Sequence, residues 1–362
     1  MPETPCLLID VPTMNANIRT MAEAALRHGA ALRPHAKTHK TPSIAKAQME
    51  AGAVGITVAK ISEAEVMAAH GIDNIFVAYP LVTASKIERA VQLSRKIELI
   101  VGVDSDEGAH RLSQEAGRLG HVLQVRLEID TGLKRTGVLY DEAVALAGRI
   151  HALPHLKLTG IYTFRGALLE GKPTLDLERA GREEGELMVH LAEAMREIGI
   201  PIADVSVGSS PTGLYAAQVE GVTEIRPGTY VFNDRMLEAF GVCTLNDCAA
   251  VIEATVVSRP SEQYAVIDGG SKTFATDVQP GTNPLQLKGF GHILEAPEAV
   301  LERLSEEHGV IRLEPHHTLK VGDRIHIIPN HVCSTLNLHN HIYFVDGQQV
   351  EKVSVLARGM LE

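Results

Sequence analysis

The sequence predicts a TIM-type (βα)8 barrel followed by an antiparallel β domain. Three observations carry that prediction. Eight short β-rich runs alternate with helical patterns up to about residue 240, the alternation then stops, and strand-like runs without long helices between them fill the remainder. The eight runs are 31–36, 55–59, 74–79, 98–104, 123–130, 158–164, 204–208 and 224–232. Helical spacing of apolar residues occupies 14–28, 41–52, 62–70, 84–95, 107–119, 141–151 and 176–198, with a shorter pattern at 211–219. Eight strands each followed by a helix are what a closed barrel requires. A doubly wound open sheet is the rival, but no GxGxxG turn opens a helix here. Beyond the change in pattern, 249–258, 264–268, 309–313, 323–328, 341–346 and 349–356 read as strands. The expected division is a barrel over 13–240 and a β domain over 241–362, to which 1–12 is expected to add.

Composition narrows the class. Of 362 residues, 45% are hydrophobic and 22% charged, enough apolar matter for a large core. A net charge of −11 without a basic stripe argues against nucleic acid as a partner. No apolar run approaches the ~18 residues of a spanning helix, so no membrane partner is expected. The opening MPETPCLLID lacks both the basic and the apolar region of a signal peptide. Cys6, Cys243, Cys248 and Cys333 follow no disulfide-framework spacing, which fits a reducing cytoplasm. These features together describe a cytoplasmic enzyme.

In such a barrel the chemistry gathers at the strand C-termini. Position alone brings His35, Lys37, Lys60, Tyr79, Asp104, Asp130, Phe164, Arg165, 208–210 and 228–230 to that face. Lys37 stands out within RPHAKTHK, between His35 and His39. A solvated basic loop is the plain reading of such a cluster. The functional one is a lysine able, when neutral, to form a Schiff base. VGSSPTG (207–213) closes the seventh run and RPGTY (226–230) the eighth. Their small residues are ordinary turn formers, yet they also let backbone N–H groups approach an oxyanion, and phosphate sites after the last two strands recur in barrels. A Schiff-base lysine and a phosphate cradle on one barrel mouth point to pyridoxal 5'-phosphate.

The segments TPCLLID (4–10), RPHAKTHK (33–40), EIDTGLKRTGV (128–138), VSVGSSPT (205–212), TEIRPGTYVFND (223–234), SEEHG (305–309) and PNHVCSTLNL (329–338) resemble the D-threonine aldolase and D-serine dehydratase family. These are alanine-racemase-like, fold-type III pyridoxal-phosphate enzymes, and the resemblance spans nearly the whole chain. It implies a lyase acting on a small D-amino acid, and a homodimer whose active site lies near the subunit interface. It also implies that Lys37 binds the cofactor and that Arg135 lies near the phenolic oxygen. Gly208, Ser209, Thr212, Gly228 and Tyr230 would serve the phosphate, and His331 and Cys333 would ligate a divalent metal. From spacing alone His331-x-Cys333 falls far short of a four-ligand pattern, but a catalytic metal keeps positions open for water and substrate. A thiolate–imidazole pair favours zinc, with manganese the alternative. D-threonine aldolases commonly carry Asp in the second ligand position and the dehydratases Cys.

The sequence departs from the family where the sixth strand commonly ends in Tyr-Glu-Gly-His. This chain reads Phe164, Arg165, Gly166, Ala167. The histidine thought to assist proton transfer at the substrate hydroxyl is therefore replaced by Ala167, and Arg165 offers a cation where the family has an acid. His308, His331, His339 and His341 are the available substitutes. Retro-aldol cleavage to glycine and an aldehyde needs a base at the hydroxyl, whereas β-elimination to a keto acid and ammonia can run with Lys37 and a Lewis acid. The expectation is thus a D-serine-dehydratase-like lyase, with D-threonine-aldolase-like cleavage as the alternative. A racemase would need a second base, and neither Tyr264 nor Tyr343 sits in a matching segment. A non-enzymatic cofactor carrier would not need His331 and Cys333.

Overall fold

The computed structural model describes residues 2–362 and divides into two compact units. The barrel unit comprises Thr20–Lys37, Thr41–Gly228 and Met360–Glu362; the sheet unit comprises the N-terminal residues to Arg19, Thr38–Lys40 and Thr229–Gly359.

In the barrel unit eight parallel strands follow one another in space: Ala31–Leu32, Ile56–Val58, Asn74–Pro80, Glu98–Val103, Leu123–Asp130, Leu156–Tyr162, Asp204–Val207 and Glu224–Ile225. The eighth pairs with the first, Glu224 opposite Ala31, and a parallel bridge between His35 and Thr57 joins the first to the second. The circuit is thereby closed. The first strand stops short of the predicted 31–36 and the eighth short of 224–232, both for the same reason. Pro34 and Pro227 lack the N–H that a ladder needs, and the chain turns into the 3-10 helices Ala36–Thr38 and Thr229–Val231. The helices match the predicted periodicity to within a few residues, with Ser105 and Asp176 capping Asp106–Arg118 and Leu177–Glu197 through their side chains. The pattern at 211–219 shrinks to a four-residue helix, Gly213–Ala216.

The barrel floor is held by charge. Glu224 accepts from Arg33 Nε at 2.7 Å, Arg126 Nη1 at 2.5 Å and Ser206 Oγ at 2.6 Å, while Arg126 Nη2 reaches Asp204 at 3.0 Å. Arg126 also lies 4.9 Å over the Phe76 ring, which Tyr162 meets edge-on. Burial alone would raise the Glu224 carboxyl; Arg126 and Arg33 overcome it and hold the group down to about 2.

In the sheet unit the strand Cys6–Asp10 lies between Ala250–Ser261, antiparallel, and His341–Asp346, parallel. Gly309–Arg312, Tyr264–Ile267, Arg324–Pro329 and Gln349–Ser354 extend the sheet, as do Gly291–Ile293 and Val300–Leu304, which the sequence pattern does not predict. The first of these is only three residues long, and in VLERL the alternation breaks at consecutive charges. No helix among the described residues is long and apolar enough to cross a membrane.

Glu224→Gln should destabilise the fold by about 3–5 kcal/mol, because two buried guanidinium groups lose their counter-charge; chemical denaturation at neutral pH measures it. The depressed carboxyl also fixes the sign with pH. Its contribution is complete above the unfolded value of about 4.5 and is lost as pH falls towards 2, so the variant should converge on wild type in acid.

Candidate active site

In the barrel unit Lys37 follows the first strand, and its Nζ lies 5.3 Å from the centre of the Phe164 ring at the end of the sixth. The Arg135 guanidinium lies 5.1 Å from the same ring. One aromatic ring thus gathers the two residues that the family resemblance assigns to the cofactor. Arg135 is delivered by a turn that Asp130 builds: its Oδ1 accepts from the N–H groups of Gly132 and Lys134 at 2.8 and 3.0 Å, with Lys134 in the left-handed region. Behind the turn, buried Glu128 accepts from Thr136 at 2.9 Å and from the Tyr162 hydroxyl at 3.0 Å. Burial pushes the Glu128 carboxyl up against those bonds. Lys60 and Tyr79 meet as a second pair at the strand ends, ammonium over ring at 3.9 Å, and Gly137 N donates to Asp104 at 3.3 Å.

The loop after the seventh strand has the form of an anion cradle. Gly208 takes φ of +86°, and a Cβ added there would lie 2.8 Å from Gly213 Cα, so only glycine fits. Ser209 and Thr212 are buried with their hydroxyls 2.8 Å apart, and Gly213 N donates to Ser209 O at 2.8 Å. The helix that follows, Gly213–Ala216, is a single turn, so it adds little dipole at this loop. Glu184 ties this loop to the sixth strand: its carboxyl accepts from the Arg165 backbone at 3.3 Å and from the Gly208 backbone. Burial pushes Glu184 up to about 7 despite Arg226 and Arg165 nearby. Arg165 points into this wall, with 1% of its side chain exposed and Nη2 donating to Glu183 at 3.3 Å. Its Nε and Nη1 have no hydrogen-bond partner among the described residues. Gly228 ends a segment of the barrel unit, and Tyr230, buried in the turn Thr229–Val231, belongs to the sheet unit.

In the sheet unit His331 and Cys333 open the short helix Val332–Leu336 and are hydrogen-bonded to each other. Asp277 Oδ2 accepts from His331 Nδ1 at 2.6 Å and from Ser334 Oγ at 2.8 Å. Cys333 Sγ lies 3.1 Å from the Thr38 hydroxyl and 3.4 Å from that of Thr229. Burial opposes the charged form of both side chains. Cys333 and the bond to Asp277 nonetheless push His331 well above its usual value, while His331 and the two threonines bring the Cys333 thiol down. Asp234 holds the loop by accepting Val332 N at 3.0 Å. No group of three His, Cys, Asp or Glu side chains suited to a metal ion occurs among the described residues. A metal held here would therefore take His331 and Cys333 and complete its shell with water or substrate, and the imidazole already has the carboxylate partner common behind histidine ligands. His339 bonds the Thr273 carbonyl and His341 lies against Ser354.

Asp277, Thr38 and Glu184 were not singled out from the sequence, and Thr229 only as part of the turn 228–230. Asp277 lies 54 residues from His331 in chain order, and no local spacing marks it. Of the predicted residues, the structure brings Lys37 to Arg135 across Phe164, Ser209 to Thr212 and His331 to Cys333.

A closed barrel with a lysine after its first strand and a tight glycine-serine loop after its seventh, in one chain with a largely antiparallel sheet, is the alanine-racemase type of architecture. Residues 9–236 match the alanine racemase N-terminal domain model, and 249–345 match the model described as "Putative serine dehydratase domain". The D-threo-3-hydroxyaspartate dehydratase of Delftia sp. is 34% identical over 92% of this chain and 91% of its own. The D-threonine aldolase of Arthrobacter sp. is 31% identical over 99% and 93%. Among solved structures, D-threonine aldolase from Filomicrobium marinum superposes with a TM-score of 0.88 at 29% identity, covering 99% of this chain and 97% of that one. The Delftia dehydratase does so at 0.90 and 32%, over 98% and 97%. The chain belongs to the D-threonine aldolase and D-serine dehydratase family of alanine-racemase-like proteins.

Asp277→Asn should weaken zinc binding about 10–100-fold by removing the charge behind His331. Competition with a chromophoric chelator measures it, and an unchanged affinity would show that Asp277 does not support the site.

Proposed function

We propose that this protein is a pyridoxal-phosphate- and divalent-metal-dependent lyase for D-β-hydroxy amino acids. Its preferred reaction in this reading is β-elimination to a keto acid and ammonia. The observation that carries the reading is the meeting of Lys37 and Arg135 on Phe164 in the barrel unit; within the sheet unit, the thiol–imidazole pair His331–Cys333 with its Asp277 support agrees with it. The names of relatives agree at the coarser level: a hydroxyaspartate dehydratase, a D-threonine aldolase, and a D-serine dehydratase of Dictyostelium discoideum that is 28% identical over 95% of this chain.

The donor sets fit both groups. Lys37 would bind the cofactor covalently, Arg135 would face its phenolic oxygen, and Gly208, Ser209 and Thr212, with Gly228 and Tyr230, would hold its phosphate. When bound, pyridoxal phosphate supplies an electron sink at the substrate Cα, and a zinc ion supplies Lewis acidity at the β-hydroxyl. The Lys37 amine would be the group that takes the substrate's Cα proton. His331 and Cys333 would hold the metal, a soft pair that favours zinc over manganese. With Ala167 at the place of the family histidine, no matched side chain takes the hydroxyl proton, which favours elimination over retro-aldol cleavage. Retro-aldol cleavage is the second reading, supported by the aldolases among the relatives. We further take the protein to be a cytoplasmic homodimer, in keeping with four free cysteines and the family resemblance.

The test is a screen of D-amino acids assayed separately for keto acid and aldehyde. D-Serine, D-threonine or D-3-hydroxyaspartate should yield keto acid, and aldehyde with glycine would instead select the aldolase reading. Lys37→Ala should lose both turnover and the visible absorption of the lysine-bound cofactor. EDTA should cut the rate by orders of magnitude while that absorption stays, since ~1.4 kcal/mol of lost Lewis acidity is tenfold. Full activity of Cys333→Ala in EDTA would overturn the metal assignment, and equal consumption of D- and L-substrates would point to a racemase.

A further inference from the structure

We propose that Cys243 and Cys248 form a dithiol that a small-molecule disulfide oxidises reversibly to an intrachain disulfide, a modification site separate from Cys333. The two residues flank one 3-10 turn, Leu245–Asp247. A capping box closes the turn: Thr244 N and Oγ1 both donate to Asp247 Oδ2 at 2.7 Å, and Cys248 N returns to Leu245 O at 3.2 Å. This path folds Cys248 Sγ back to within 3.8 Å of the carbonyl of Thr244, the residue next to Cys243, and brings the two thiols close enough to interact. The turn is anchored from outside as well. The Asn17 and Asn233 amides donate to Asp247 O at 2.9 and 3.1 Å, and Ala249 N donates to Phe232 O at 2.6 Å. The thiols are therefore held facing each other by a fixed piece of backbone, at a spacing that carries no recognised motif.

Accessibility orders the reaction. Cys243 is half-buried and Cys248 is 8% exposed, with its thiol kept protonated by the neighbouring sulfur and by burial. Cys243 is thus the sulfur that meets an incoming disulfide, RSSR. Its thiolate attacks one sulfur, the S–S bond breaks, and the departing RS⁻ takes up the proton that Cys243 released. Cys248 Sγ then attacks Cys243 Sγ in the mixed disulfide, and its proton leaves with the second RSH. The two protein thiols lose two electrons and two protons, and RSSR is reduced to two RSH. Cys6 offers no competing site: it is buried, faces Glu253 at 3.7 Å, and is pushed up to about 12 by burial and that carboxylate.

Oxidised glutathione is the probe. The whole reduced protein is exposed to it, alkylated and analysed by intact mass and peptide mapping. The expected result is the loss of the Cys243 and Cys248 thiols to alkylation, a cross-linked Cys243–Cys248 peptide, no adduct retained on Cys243, and full recovery with dithiothreitol. Cys248→Ser should instead retain a glutathione adduct on Cys243, and Cys243→Ser should not form the cross-link. A wild-type protein that keeps the adduct on Cys243 unresolved would overturn the proposal. So would one whose Cys243 and Cys248 both remain alkylatable after exposure. Both readings come from the wild type alone and stand whatever the variants' stability.

Discussion

Everything in the barrel unit leans on one carboxylate. Glu224, on the last strand, is shared by Arg33 beyond the first strand, Arg126 on the fifth and Ser206 on the seventh. A buried ionised acid is costly in itself and persists only because its partners are equally deprived of water. That mutual need fixes which strands are neighbours where the eighth meets the first. The strands joined there, Ala31–Leu32 and Glu224–Ile225, are only two residues long, so backbone pairing alone would be a weak latch. Arg33 also begins the run that ends at Lys37, and the closing ion pair therefore sets where that lysine leaves the barrel.

The barrel was legible because its signals are local. Strand and helix periods repeat along the chain, and residues such as Lys37 and Gly208 announce themselves by neighbours within a few positions, whereas Arg135 came only from the family resemblance. What escaped was set by partners far off in sequence or by the chemistry of proline. Pro34 and Pro227 shortened two strands that the apolar pattern extended. The strands Gly291–Ile293 and Val300–Leu304 are too short or too charged to show an alternation, and are held by register with Arg324–Pro329 and Gly309–Arg312.

The same division applies to the chemistry. His331 and Cys333 are two positions apart and visible as a pair; Asp277, Thr38 and Thr229 reach them only through the fold. Arg165 shows the converse. Its charge suggested a place for an anionic group, but Glu183 already takes one side of its guanidinium, and the backbone N–H of the same residue is used by Glu184. A charge read from sequence says what a residue can bind, while burial and existing partners decide what it is left to bind.

The strand Cys6–Asp10 has an implication for how the chain is made. It sits inside the sheet, with Cys6 opposite Glu253 and Leu8 opposite Tyr343. In chain order it precedes the barrel sequence, while both of its neighbours follow that sequence. As the chain is made it must wait unpaired, with the apolar face of CLLID uncovered, until those two strands have left the ribosome. Pairings so distant in sequence are slow to form, and a strand with two free edges is a natural target for chaperones and for stray association between nascent chains. The five residues Cys6–Asp10, few as they are, should therefore govern the yield of folded protein more strongly than any surface segment of similar length.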